Sequence, residues 1–276
     1  MKSKKRKGYS LFSVTVLALF SFTALAPIAL VLLNSTKKSA DIVRNPLALP
    51  NTIRVANYID AWNSAKMANG FKNSIILTGL TVVIVVIAST LAGYALSDRQ
   101  TKTANGIKLY FMIAMTVPIQ LFLFPLYSIL SQLNLISNYF AIAFVLTAIN
   151  MPLAVFLMRT YFLNIPKSIE EAGRIDGAST VSMFTRLMLP IVSPGMITVA
   201  TIVWLYTWNE FLLTSTFMQG QDNFTVTLSY RALNNTSPDY GLLMAGAIII
   251  IVPIIMFFII IQRYFIEGLV SGSVKG

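Results

Sequence analysis

The 276-residue sequence contains no cysteine and no histidine. The first absence removes disulfides, thiolate nucleophiles and iron–sulfur ligation, and the second removes the commonest metal ligand and proton shuttle. Charge is scarce: Asp, Glu, Lys and Arg make up 11% of the residues, where soluble domains carry about a quarter. There is also no Gly-x-x-x-x-Gly-Lys-Ser/Thr phosphate cradle, so the chain does not hydrolyse ATP in the manner of a P-loop protein. Metal, nucleophile and phosphate-cradle chemistry are not expected, and no cofactor is expected to be bound by this chain.

What is abundant is apolar surface, with 56% hydrophobic residues. Most of such a chain is solvated by lipid. A net charge of +11 would point to nucleic acid in a soluble domain. Here the basic residues flank apolar runs, where membrane topology and anionic headgroups explain them better, and nucleic acid is not an expected partner.

The expected fold class is an all-α integral membrane protein with six transmembrane helices. The apolar runs fall at about 11–33, 74–96, 109–130, 139–163, 191–217 and 241–265. Each is long enough for the ~30 Å hydrocarbon core. The first follows Lys2, Lys4, Lys5, Arg6 and Lys7. Ala24-Leu25-Ala26 resembles a signal-peptide cleavage site, but Pro27 follows and the apolar run continues, so a retained helix is expected. This divides the chain into a basic cytoplasmic N-terminus (1–10), a single transmembrane domain (11–270) and a cytoplasmic tail (271–276). With both termini inside, 14 of the 21 Lys and Arg residues lie in the four inner segments and 7 in the outer ones, as the positive-inside rule requires.

The longest charged passage between two apolar ones is 164–190. Ile165-Pro166 should end the preceding helix, because proline disfavours α geometry in the residue before it. Ser168 with Glu171 has capping-box spacing and predicts a new helix start. Asp176-Gly177 offers a C-terminal stop, with glycine in the left-handed position. From about Ser179, Val181, Phe184, Leu187 and Met188 recur at three to four residues as an apolar face, before Pro190 opens the next span. Two short helices near the membrane surface result. Ala172 and Gly173 would let another backbone come close, and Glu171 or Asp176 could bond its donors. On spacing alone, an amphipathic loop at the lipid interface is an equal reading.

Glu171-Ala172-Gly173, then Gly177, then after nine further residues Leu187-Met188-Leu189-Pro190, closely resemble the signature of the membrane subunits of bacterial ABC importers. That signature has a second Ala where Gly173 stands and Ile where Leu187 stands. In that family the element is a coupling helix seated in a cleft of the ATP-hydrolysing subunit. The resemblance therefore implies docking roles for Glu171, Ala172, Gly173 and Gly177, and the expected docking element also takes in Ser168, Asp176, Leu189 and Pro190. Gly173 should weaken the helix by up to about 1 kcal/mol relative to Ala. Phe71-Lys72-Asn73-Ser74, Ala92-Gly93-Tyr94-Ala95-Leu96, Trp208-Asn209-Glu210-Phe211 and the run from Gln262 to Gly276 are similar to the carbohydrate branch, within it to the MalG-like partner. The resemblance implies a bacterial plasma-membrane subunit of a sugar importer, with oligosaccharide the expected cargo. Its implied partners are a second homologous permease subunit, two ABC ATPase subunits that carry ATP and magnesium, and an extracellular or periplasmic sugar-binding protein. The chain itself is expected to be non-catalytic.

Polar residues inside apolar runs are candidates for a translocation path or gate: Gln120, Asn150, Tyr206, Trp208, Asn209 and Glu210. A carboxylate costs about 3 kcal/mol at the bilayer centre and less near its edge, so Glu210 needs compensation. It faces a wet cavity or belongs to an anchoring cluster at the outer interface, the slightly favoured reading. For Gln120 and Asn150 an interhelical hydrogen bond is the favoured use. The outer loop 219–240 reads as a solvated turn, and the resemblance turns it towards a binding protein. The rival function is a secondary, ion-coupled transporter using Glu210. Against it stand the lack of detectable repeats and the presence of a docking motif.

Overall fold

The computed structural model describes residues 11–97, 102–235 and 239–273, with 102–104, 235 and 263–273 given by backbone alone. The basic segment 1–10 and the end of the tail lie outside the described residues. In chain order the helices are α1 (Leu11–Ser35), α2 (Ser39–Arg44), α3 (Ala56–Ser64), α4 (Met67–Ala95), α5 (Lys102–Ala114), α6 (Leu123–Gln132), α7 (Tyr139–Leu163), α8 (Lys167–Ile175), α9 (Thr180–Ser182), α10 (Leu189–Trp208), α11 (Leu212–Phe217), α12 (Val226–Ala232) and α13 (Tyr240–Ser273). Among the described residues there is no strand. Among the described residues, five helices are long and apolar enough to cross a membrane, or six if a bent pair counts as one span. The fold is that of an all-helical, multi-pass membrane protein.

The chain forms two compact units, 1–67 with 230–253 and 68–229 with 254–276. In the first, the Asn57 amide donates to the carbonyls of Ser35 and Lys37, both at 2.8 Å. Gly241 is required close by, because a Cβ there would stand 2.5 Å from the Lys37 carbonyl oxygen. In the second, α7 is the central rod. Its Asn138 cap accepts from the Ala141 amide at 3.1 Å. One apolar cluster gathers at the Asn138 end around Leu77, Ile142, Leu146 and Phe217. Another gathers at the Leu163 end around Val85, Met158, Phe162, Met183 and Val192.

Two predicted spans take a different form. The run 109–130 is not one rod: helical segments Asn105–Ala114 and Ile119–Gln132 meet at 85°. Pro118 explains the break, since it has no N–H to continue a helix and sits in extended geometry. The run 191–217 is likewise displaced. Its helix begins at Thr180 and ends at Trp208, with the separate α11 following. Pro190 therefore does not open a span. Residues Met183–Met188 form a π-helical segment immediately before it. The wider turn makes room for the proline ring, which would otherwise strike the carbonyl of Arg186.

Candidate functional site

The element 164–190 is built from a stop, a short helix, a second stop and the foot of a long helix. α7 ends at Leu163 with Asn164 as its cap, and Pro166 in extended geometry starts α8. Ser168 is thus the second residue of the helix and not its cap; the predicted capping box is absent because proline at the boundary already sets the entry, and no side chain caps α8. The far end follows the expected stop. Gly177 adopts φ +77°, the Ala178 amide donates to the Gly173 carbonyl at 2.9 Å, and the Gly177 amide donates to Arg174 at 3.1 Å. Those two bonds are the Schellman pattern, satisfying carbonyls that a helix end leaves orphaned. Ser179 then caps the next helix by accepting from the Ser182 amide.

α8 has one seated face. Gly173 is buried, and a Cβ on it would meet the Met183 methyl at 2.7 Å and Leu187 Cδ1 at 2.8 Å. The helix therefore lies close on the π-helical segment, and glycine in place of alanine lets it do so. Met183 and Met188 are buried here, whereas the predicted face residue Val181 is exposed. The π turn shifts the helical phase that the spacing assumed. The opposite face of α8 is open: Ser168, Glu171, Ala172, Asp176 and Gly177 are exposed, and Ile175 is 86% exposed. Glu170 and Arg174 pair along the helix at 2.7 Å. Leu189 is half-buried and Pro190 exposed, at the start of α10. The spacing did not single out Ile175, whose exposure follows from where the helix rests.

The element is tied to the helix ends beside it. Tyr94 of α4, Phe162 of α7 and Phe184 form an aromatic trio, with Tyr94 5.3 Å from Phe162 and 5.0 Å from Phe184. Arg159 donates through Nε to the Leu96 carbonyl at 2.7 Å. Gly93 allows α4 to touch α7, since its Cβ would come within 2.9 Å of the Arg159 backbone nitrogen. Between these ends and α8 lies a hollow of about 550 Å³, lined by Tyr94, Ser97, Lys167, Glu170, Glu171 and Arg174 among others.

The path candidates do not converge on one site. Gln120 is exposed at the bend between α5 and α6. Asn150 is buried, but its amide donates to Leu146 of its own helix at 2.8 Å, so the bond along α7 replaces the expected interhelical one. Tyr206 is exposed, and Asn209 donates back to Leu205. Trp208 is buried and stacks on Trp204 at 5.0 Å, which in turn stacks on Phe257. Glu210 follows the end of α10. Its two carboxylate oxygens accept from the Leu213 amide at 2.7 Å and the Thr214 amide at 2.8 Å, the second and third residues of α11. That pair of bonds offsets the cost of the charge and holds the new helix start. Sequence reasoning gave no role to Asn73 and Ser74, which pin the loop after α11. Asn73 donates to the carbonyls of Asp222 and Phe224, and Ser74 Oγ accepts from the Val226 amide. Their partners lie about 150 residues downstream, beyond any local pattern.

The likeness to known proteins runs over most of the chain. The chain is 33% identical over 281 residues to the arabinooligosaccharides transport system permease protein AraQ of Halalkalibacterium halodurans, covering 100% of both chains. It is 30% identical over 248 residues to the melibiose/raffinose/stachyose import permease protein MelC of Bacillus subtilis, covering 89% of this chain and 90% of that one. Its fold matches the crystal structure of a bacterial ABC transporter involved in the import of the acidic polysaccharide alginate, with a TM-score of 0.78 at 21% identity over 96% of this chain and 99% of that one. The family model for the binding-protein-dependent transport system inner membrane component matches residues 86–270, from within α4 into α13. These are transport components and not catalysts, and the chain belongs to the family of binding-protein-dependent transport system inner membrane components.

Proposed function

We propose that this chain is one of two homologous permease subunits of an ATP-driven oligosaccharide importer, coupled to ATPase subunits through 164–190. The observation that carries the reading is the posture of α8. One face rests on the π-helical segment through Gly173, while Glu171, Ala172 and Ile175 stand outward. An exposed isoleucine beside a carboxylate with no partner among the described residues suits a cleft on another protein. Force applied there passes directly into a long rod, because the helix is continuous from Thr180 to Trp208.

In this reading the termini and the 164–190 element are cytoplasmic. Two ABC ATPase subunits hold ATP and magnesium, and a sugar-binding protein delivers cargo to the opposite side. The loop anchored by Asn73 and Ser74 would face that binding protein. Closure of the ATPases would shift α8, tilt the Thr180–Trp208 rod and alternate access as a rigid-body change. Oligosaccharide is the cargo class favoured by the named relatives. The ion-coupled alternative is weakened by Glu210, whose two oxygens already hold backbone amides.

The test is uptake of labelled arabinotriose by vesicles containing this chain and its candidate partner subunits. ATP should drive accumulation, and omission of the ATPase should abolish it. Uptake that persists without the ATPase and follows an ion gradient would replace the importer with a secondary transporter.

A further inference from the structure

The segment 36–66, between α1 and α4, exposes apolar and basic side chains together at the end of a membrane span. Counted from Leu11, about 20 residues of helix fill the hydrocarbon core, which puts its edge near Leu30 and Ser35 about 7 Å beyond it, in the headgroup layer. α3 is clipped to that level. Asn57 donates to the carbonyls of Ser35 and Lys37, the Tyr58 hydroxyl pairs with Ser35 Oγ at 2.6 Å, and the Arg54 amide donates to the Thr36 carbonyl at 2.8 Å. Ser39 Oγ donates to Asp239 and accepts from the Tyr240 amide, which fixes the start of α2 to the start of α13.

α3 has three sides. Asn57 and Ala61 are buried on the first, and Asp60, Asn63 and Ser64 are exposed on the second. Val55, Ile59 and Trp62, spaced by four and three residues, form an apolar stripe on the third. The stripe is exposed, and so are Leu47, Leu49 and Ile53 in the loop before it, at between 41% and 79%. Six large apolar side chains gathered within one short segment need a cover. A binding protein that docks and leaves would return them to water in every cycle. A second permease subunit would have to bury Lys38, Arg44 and Arg54 as well, which are exposed in the same segment and costly to take out of water unpaired.

Lipid meets neither objection. The most apolar stretch of α1 has no buried residue, and its exposed Leu25, Ile28 and Leu32 carry the apolar surface up to the level of Ser35. In the orientation proposed above, six of the seven outer Lys and Arg residues fall within 37–72. The positive-inside rule leaves that cluster unexplained, whereas lipid phosphate accounts for it. We infer that segment 47–62 is an interfacial anchor, with Leu47, Leu49, Ile53 and the Val55–Ile59–Trp62 stripe at the boundary of headgroups and acyl chains and Arg44 and Arg54 against lipid phosphate. Through the bonds to Ser35, Lys37 and Asp239 it sets the level at which α1 and α13 leave the bilayer.

The absence of native cysteine lets single reporters be placed. Ile59→Cys, Leu47→Cys and, on the polar side of α3, Asp60→Cys are labelled with bimane in the full chain. Each is reconstituted alone and with the candidate partner subunits, in vesicles of phosphatidylethanolamine and phosphatidylglycerol. Lipid brominated near the top of its acyl chains should quench positions 59 and 47 about threefold more than position 60 in both preparations. Arg44→Glu combined with Arg54→Glu should lower the quenching at position 59 about twofold. Equal, weak quenching at all three positions would overturn the anchor. Quenching that is lost when the second permease subunit or the sugar-binding protein is added would also overturn it and make the stripe a protein contact. Unchanged quenching in the arginine variant would overturn the phosphate contact. No readout here needs ATP-driven uptake, so the anchor and the importer reading fail separately.

Discussion

On α8, Glu171 is exposed and has no hydrogen-bond partner among the described residues, on a helix whose other face is seated by Gly173. Past the end of α10, Glu210 is half-buried and has committed both oxygens to the amides of Leu213 and Thr214. The two carboxylates belong to the same residue type, one in the middle of a short helix and the other just past the end of a long one. One has both oxygens open, and the other has each oxygen engaged by a backbone amide. Their occupancy, and not their chemistry or their place in an apolar chain, separates a group available to another molecule from one that holds the fold.

Reversing the open charge should break the comparison most strongly. Glu171→Lys sets a like charge against whatever donors the ATPase presents, and about 100-fold loss of ATP-driven uptake is expected for that kind of juxtaposition. The melting temperature of the purified chain should stay near wild type, because among the described residues nothing bonds the Glu171 side chain. A substantial fall in melting temperature would mean that Glu171 is structural after all. Glu210 should behave in the opposite way. Glu210→Ala removes both acceptors from the start of α11 and should cost about 2 kcal/mol in chemical denaturation, and Glu210→Gln about half of that. Uptake per folded molecule should remain largely intact in Glu210→Gln. Loss of transport with unchanged stability would reverse the assignment.

Much of this contrast was legible in the sequence, and the parts that were not have specific causes. Apolar run length announces membrane helices, and Asp176-Gly177 announces a helix stop, because both depend on neighbouring residues alone. Pro166 marks the end of α7 but also displaces the cap from Ser168, a competition between two local signals. The π-helical segment before Pro190 moves Met183 inward and Val181 outward, a phase change that three-to-four spacing cannot register. Glu210 could be read only as a charge needing compensation, since the acceptor role depends on where α10 stops. The bend at Pro118 was hidden inside a continuous apolar run, because hydropathy measures composition and not direction.

The smallest expected effects lie within α8 and sharpen what its seated face requires. Gly177→Ala forces a Cβ into φ +77° and should lower stability by about 1 kcal/mol, although the space around that residue is open. Gly173→Ala opposes two terms of similar size. Alanine favours the helix by up to about 1 kcal/mol. Its Cβ must displace the Met183 methyl and Leu187 Cδ1, both of them the far ends of flexible side chains. The net change in stability should lie within about 1 kcal/mol of zero. ATPase coupling is the more sensitive readout, because a displaced Met183 lifts α8 from the rod it is expected to drive. Uptake reduced a few-fold at unchanged melting temperature would identify the close seat as part of the coupling path. Wild-type uptake would show that α8 transmits through Glu171 and Ile175 without needing that contact.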